Sequence, residues 1–177
     1  MAYTVGTMFC TTTAVVEASH DKINLAQWLL GVTNAEYISF TPRSGAHKSM
    51  RVRSHTTGKP IIENVEFISG AIMTHQYLPE IMEADHTVVV CPTTHAKLLD
   101  VVPFTFTTVW ELKITPLDAE RSELACCIEV EYHSKLWWFL SLLIFSSFWL
   151  RRHDQEETPE FARNIASKIY PETSKSL

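Results

Sequence analysis

A chain of 177 residues with 46% hydrophobic and 20% charged residues is long and apolar enough for one packed core, which excludes a disordered chain. The formal net charge is −5 and the basic residues are scattered, which excludes an extended nucleic-acid surface. The four cysteines, Cys10, Cys91, Cys126 and Cys127, show no CxxC spacing; they read as buried thiols of a cytoplasmic protein, not as a zinc knuckle or redox pair.

The opening residues, Met1 to Thr7, lack the positive region and long apolar core of a signal peptide. Residues 3–17 are rich in Thr, Val and Phe and predict a first strand. Ser19 is placed to cap a helix from His20 to Leu30, with Gly31 ending it in a left-handed conformation. Ile23, Ala26, Leu29 and Leu30 would form its buried stripe. A second short helix is predicted from Asn34 to Ser39, before Thr41-Pro42.

From about Ala46 to His133 the pattern is strand after strand. Met50, Val52 and Ser54 alternate with Arg51, Arg53 and His55. Pro60 to Phe67 follows the turn signal Gly58-Lys59, and Gly70 to Tyr77 puts Ala71, Met73, His75 and Tyr77 on one face. Thr87 to Cys91 is a short β-branched run ended by Pro92. A connection from Pro92 to Pro103 is predicted next, with a helical turn around Ala96 to Leu99. Phe104 to Ile114 and Leu124 to His133 are long alternating strands, joined by a turn holding Pro116, Leu117, Asp118 and Ala119. Alternation with period two in successive strands predicts an antiparallel sheet with one packed face.

Leu136 to Leu150 is a run of fifteen uncharged residues without Gly or Pro, closed by Arg151-Arg152. A helix of this composition is apolar all round, so it is either a core helix or a membrane segment. At about 1.5 Å per residue it covers roughly 22 Å, short of a bilayer core of about 30 Å. Burial by the sheet is therefore expected, with membrane association through residues 136–150 as the alternative. Thr158 and Pro159 then suit the start of a last helix, in which Phe161, Ile165 and Ile169 form a stripe. Residues from about 171 read as a tail.

The order is a strand, two short helices, about six more strands and a long C-terminal helix. Thr108-Val109-Trp110-Glu111-Leu112 looks like a late strand of one fold, and His153-Asp154-Gln155-Glu156-Glu157-Thr158 followed by Phe161-Ala162 looks like its last helix. On these residues the chain resembles the START-like, or polyketide-cyclase and Bet v 1-like, helix-grip superfamily. The resemblance implies a single α+β domain over 1–177, with a curved antiparallel sheet of about seven strands wrapped around the last helix. It also implies a hydrophobic ligand held between sheet and helix. Members of the superfamily include carriers as well as cyclases, isomerases, hydrolases and aromatase-type enzymes. The cone-like fold of small isomerases and dehydratases is the runner-up, but it begins with helices rather than a strand.

A pocket enzyme of this kind needs a proton donor and acceptor inside an apolar cavity. His75 is the candidate acid or base, Tyr77 a donor to a developing oxyanion, and His86, on a strand face with Val88 and Val90, a third candidate. Met73, Phe106, Trp110, Tyr132 and Trp138 are candidate pocket residues. Glu129, Glu131 and His133 share a strand face that reads as solvated, and His153 with Glu156 and Glu157 reads as a wet helix surface. No HExxH, GxSxG, P-loop or GxGxxG occurs, so neither metal nor cofactor is expected. The expected function is a small cofactor-free enzyme of cyclase, isomerase or hydrolase type acting on a polyketide- or terpenoid-like molecule. A non-catalytic carrier of lipids or hydrophobic metabolites is the alternative.

Overall fold

A computed structural model of the chain describes residues 4–143 and 146–171. The strands are β1 (Gly6–Val16), β2 (His47–Ser54), β3 (Pro60–Ile68), β4 (Ala71–Met82), β5 (His86–Leu98), β6 (Val102–Pro116) and β7 (Ser122–Tyr132). They form one curved antiparallel sheet in the order β1-β7-β6-β5-β4-β3-β2. Short helices α1 (Leu25–Leu30) and α2 (Asn34–Ser39) bridge β1 to β2, and α3 (Lys135–Leu143) and α4 (Ser146–Ile169) close the chain. α4 lies across the concave face, packed mainly on β1 and β7.

The local chemistry explains most boundaries. α2 starts at a full capping box: the Thr33 hydroxyl accepts from Glu36 N–H, and the Glu36 carboxylate accepts from Thr33 N–H. The helix expected over His20 to Leu30 is instead a 3₁₀ turn (His20–Lys22) followed by α1. Asn24 breaks it, because its side chain accepts from Gln27 N–H at 2.8 Å and so caps a new start. Leu25 N–H is drawn off to Ala84 O at 2.7 Å. Gly31 ends α1 at φ −96°, in the right-handed region, so the expected left-handed ending is absent.

β5 also departs from expectation. It runs unbroken through Pro92 to Leu98, with no helical turn at Ala96 to Leu99. Proline has no N–H to give a ladder, and Pro92 is tolerated because the pairing to β6 shifts register between Cys91 and Thr94. The last helix likewise starts at Ser146 rather than near Thr158 and continues through Pro159. Thr158 does not cap a helix start; its hydroxyl donates to Asp154 O at 2.7 Å within the helix. The carbonyl that Pro159 leaves without an N–H is that of Gln155, an exposed residue.

The apolar run of residues 136–150 is where expectation and structure differ most. Its described residues belong to α3 and to the start of α4, and residues 144 and 145 lie outside the described ones. Only one side is covered: Ser141 and Leu150 are buried, and Trp137, Trp138 and Leu140 half-buried. Leu136, Phe139, Leu142, Leu143, Phe148 and Trp149 are exposed. No helix of the described residues is long and apolar enough to cross a membrane.

Candidate active site

Curvature of the sheet and the arrival of α3 and α4 leave a cavity of about 90 Å³ against the concave face. Its walls are largely apolar, with Phe104, Phe106 and Trp110 from β6 and Ile128, Val130 and Tyr132 from β7. Trp137 and Leu140 of α3 and Leu150 of α4 cover it from outside the sheet. On β4 the strand period delivers Ala71, Met73, His75 and Tyr77 to the cavity side, while Ile72, Thr74 and Gln76 face solvent.

One end of the cavity is polar. The His75 and Tyr77 rings stack with centroids 5.1 Å apart. His75 Nδ1 is buried without a hydrogen-bond partner among the described residues. Burial holds the His75 ring below the ordinary imidazole range, with Glu66 partly opposing it, so the ring is neutral near pH 7. Burial pushes the Tyr77 hydroxyl well up, so it stays protonated. Glu66 completes this wall: Tyr37 Oη donates to its Oε1, and Asn64 Nδ2 donates to Oε1 at 2.8 Å. Burial would raise the Glu66 carboxyl, but His75, His153 and His47 around it hold it below the usual range.

Behind this wall lies a buried group drawn from β2 and α4. Glu157 Oε2 is 2.9 Å from His47 Nε2 and 3.3 Å from His153 Nε2. Both contacts fall within ion-pair distance, but neither Nε2 makes a hydrogen bond of good geometry among the described residues. We therefore describe them as charge contacts rather than hydrogen bonds. Burial would raise Glu157, but the His153 charge and then His47 hold it down to about 2. Burial would lower His153, but Glu157 raises it to about 9. A carboxyl held low stabilises the fold above its ordinary 4.5 and loses that contribution as pH falls toward 2. An imidazole held high stabilises below its ordinary 6.5 and loses that contribution as pH rises through about 9. Urea midpoints in chelator should therefore be highest between about pH 4.5 and 6.5, and Glu157→Gln should flatten both slopes. A midpoint that rises from pH 7 to 9 would contradict this pairing.

Of the residues predicted from sequence, the structure brings together His75, Tyr77, Met73, Phe106, Trp110 and Tyr132 around the cavity. Trp138 is not among its lining residues: it covers Gly6, where an added Cβ would come 2.5 Å from the indole, and packs 5.7 Å from Tyr132. Trp137 takes the cavity position instead. His86 lies on the convex face, with Nε2 2.8 Å from Glu111 Oε1, because Thr87, Val89 and Cys91 are the buried residues of β5. The run Thr87 to Cys91 is β-branched at four positions out of five and carries no alternation to tell its faces apart. His133 contacts Thr107 Oγ1 at 2.8 Å on that same outer side. Cys10, Cys91 and Cys126 are buried free thiols. Burial and Asp154 push the Cys10 thiol up to about 12.

Sequence reasoning missed Tyr37, Glu66, His47 and the burial of His153 and Glu157. His153 and Glu157, read as a wet surface, are 4% and 3% exposed. Their spacing of four, continued by Phe161 and Ile165, is the signal that would have placed them on the buried stripe of α4.

No family model matches the sequence, and no curated protein matches it. Solved structures do match. The Zhui aromatase/cyclase from a Streptomyces species superimposes with TM-score 0.62 at 12% identity, over 93% of this chain and 96% of that one. A norcoclaurine synthase point mutant from Thalictrum flavum, in complex with a transition-state analogue, gives 0.54 at 12%, over 96% and 97%. A START superfamily protein from Mycobacterium smegmatis gives 0.51 at 14%, over 93% and 97%. These likenesses span nearly the whole of each chain, and with the strand order and the α4 grip they establish that this chain has the START-like helix-grip fold.

Proposed function

We propose that the protein is a cofactor-free enzyme that moves a proton next to a carbonyl of a hydrophobic, polyketide- or terpenoid-like molecule, as a cyclase or isomerase does. The observation that carries this reading is the stacked His75–Tyr77 pair on the wall of an otherwise apolar cavity. Neutral His75 takes a proton from the carbon beside the carbonyl, and the electron pair moves onto the carbonyl oxygen. Tyr77 donates a hydrogen bond to that oxygen as its charge develops. Glu66 steadies the imidazolium that forms. The enolate then regains the proton at another carbon, or attacks a second carbonyl of the same molecule with loss of water. The test is turnover of hydrophobic carbonyl compounds by the wild type and His75→Ala, with affinity measured alongside. Equal turnover in the two would overturn the assignment of the base.

A cavity of about 90 Å³ is smaller than a hole of roughly 150 Å³ that holds benzene, so a polycyclic ligand calls for more room than this one offers. The α3 cover must therefore move outward to admit one, and its outer side suggests where. Leu136, Phe139, Leu142 and Leu143 of α3 are exposed, as are Phe148 and Trp149 of α4. Lys135, Arg151 and Arg152 flank them. An apolar patch bordered by cations matches the surface of an anionic bilayer, so a second reading is that ligand passes from a membrane through this cover. The protein should float with vesicles containing phosphatidylserine and less with neutral ones. Phe139→Asp with Phe148→Asp should abolish flotation. Wild-type protein left in the dense fraction would rule this route out.

A further inference from the structure

The buried group behind the cavity wall gathers two imidazoles and two carboxylates. His47 Nδ1 lies 2.7 Å from the Tyr37 carbonyl oxygen. A carbonyl only accepts, so Nδ1 carries the proton and a neutral His47 presents a lone pair at Nε2. That lone pair meets two carboxylate oxygens, Glu157 Oε2 at 2.9 Å and Glu66 Oε1 at 3.9 Å. His153 adds a fourth ligand atom, Nε2 at 3.3 Å from Glu157 Oε2. His47 is 2% and His153 4% exposed, and neither Nε2 has a hydrogen-bond partner among the described residues.

Carboxylates and imidazole nitrogens that face one another inside a protein need a shared cation, which is a proton on His153 in the free protein and can be a metal ion in its place. We propose that His47, His153, Glu157 and Glu66 form a binding site for a divalent transition metal of the zinc type. Four observations fit. Two imidazoles and two carboxylates are a donor set that zinc accepts. Bonds of about 2.0–2.1 Å in a tetrahedron put neighbouring ligand atoms roughly 3.3 Å apart, and ligand atoms of His47, Glu66 and His153 all lie within 4.8 Å of one another. An outer layer holds the ligands in place: the Tyr37 carbonyl fixes the His47 tautomer, while the Tyr37 hydroxyl and Asn64 amide fix Glu66. Glu66 and Glu157 line the cavity, which provides the way in. The site shares Glu66 with the reaction proposed for His75 and Tyr77, but neither of those two residues is a ligand.

The experiment uses the full chain, stripped with chelator and titrated with Zn²⁺ against a chromogenic competitor. The expected result is one zinc per chain, with a dissociation constant below about 1 μM and a higher melting temperature. His153→Gln and Glu157→Gln should each weaken binding by more than about a hundredfold, since loss of an outer partner alone costs about 10–100-fold. Asn64→Leu should fall within that smaller range, and His133→Ala, on the outer face, should bind as the wild type does. Wild-type protein that binds no zinc, or folded ligand variants that bind it undiminished, would overturn the site. Where a ligand variant does not fold, the wild-type Co²⁺ spectrum decides. Intense visible bands of a tetrahedral centre support the site, and a weak octahedral spectrum or none refutes it.

Discussion

Replacing Phe161 with alanine should lower the unfolding free energy by about 3–5 kcal/mol, the range of large aromatic truncations in cores. Phe161 is 1% exposed. Its ring meets Phe40 at 4.9 Å, Trp28 at 5.4 Å and Trp110 at 5.9 Å. These neighbours come from the α2 end, α1 and the centre of the sheet, so one side chain joins α4 to three parts of the fold. The aromatic walls around it cannot collapse far, which puts the cost toward the upper part of the range. Trp110→Ala should fall in the same range, because Trp110 is 6% exposed and its Nε1 donates to Cys126 Sγ at 3.3 Å. Phe139→Ala on the cover is the comparison: Phe139 is 58% exposed, and its loss should change stability by less than about 0.5 kcal/mol. Chemical denaturation with an unchanged slope checks all three. A midpoint unmoved by Phe161→Ala would mean that α4 is not gripped by the sheet.

Removing the base should lower turnover far more than stability. His75→Ala should cost about 10²–10⁴-fold in kcat, the usual contribution of a positioned general base. Tyr77→Phe keeps the ring that stacks on His75 and removes only the hydroxyl, so it should cost about 10²–10³-fold, as loss of one oxyanion donor does. Neither change should weaken ligand affinity much, because the apolar walls remain. His86→Ala should turn over normally, since His86 faces Glu111 on the convex side. Activity lost only in His86→Ala would place the chemistry on the wrong face of the sheet.

Strand alternation made much of this legible before any coordinates. Where apolar and polar residues alternate cleanly, as from Ala71 to Tyr77, the inward face read from sequence is the face that lines the cavity. Where every residue is β-branched, as around Val88 to Val90, period two carries no information, and His86 was assigned to the wrong side. Proline at Pro92 and Pro159 reads as punctuation, but a bulge accommodates the first and α4 runs on through the second. The apolar run of residues 136–150 reads as buried by the sheet, yet six of its large apolar residues are exposed. As a cover over a cavity it needs only one dry side, and an apolar composition alone does not say which side that is. The acidic and basic residues of α4 were read as wet because charge usually is. His153 and Glu157 are dry because each supplies the other's counter-charge, a pairing that also needs His47 from β2, more than a hundred residues away in the chain. Glu66 and Tyr37 likewise become a pair only when α2 folds over β3.

The most direct test of the central claim is proton exchange at a carbon next to a carbonyl. A hydrophobic bicyclic ketone such as 2-tetralone, incubated with the protein in D₂O, reports abstraction by the base without requiring the full natural reaction. Deuterium uptake is followed by mass spectrometry, and binding of the ketone is measured separately. The account predicts exchange well above the buffer rate with wild-type protein, and at least about a hundredfold less with His75→Ala at unchanged affinity. Exchange equally fast in His75→Ala, or a ketone that binds the wild type in the cavity and does not exchange, would contradict it; the second outcome would leave the protein a carrier.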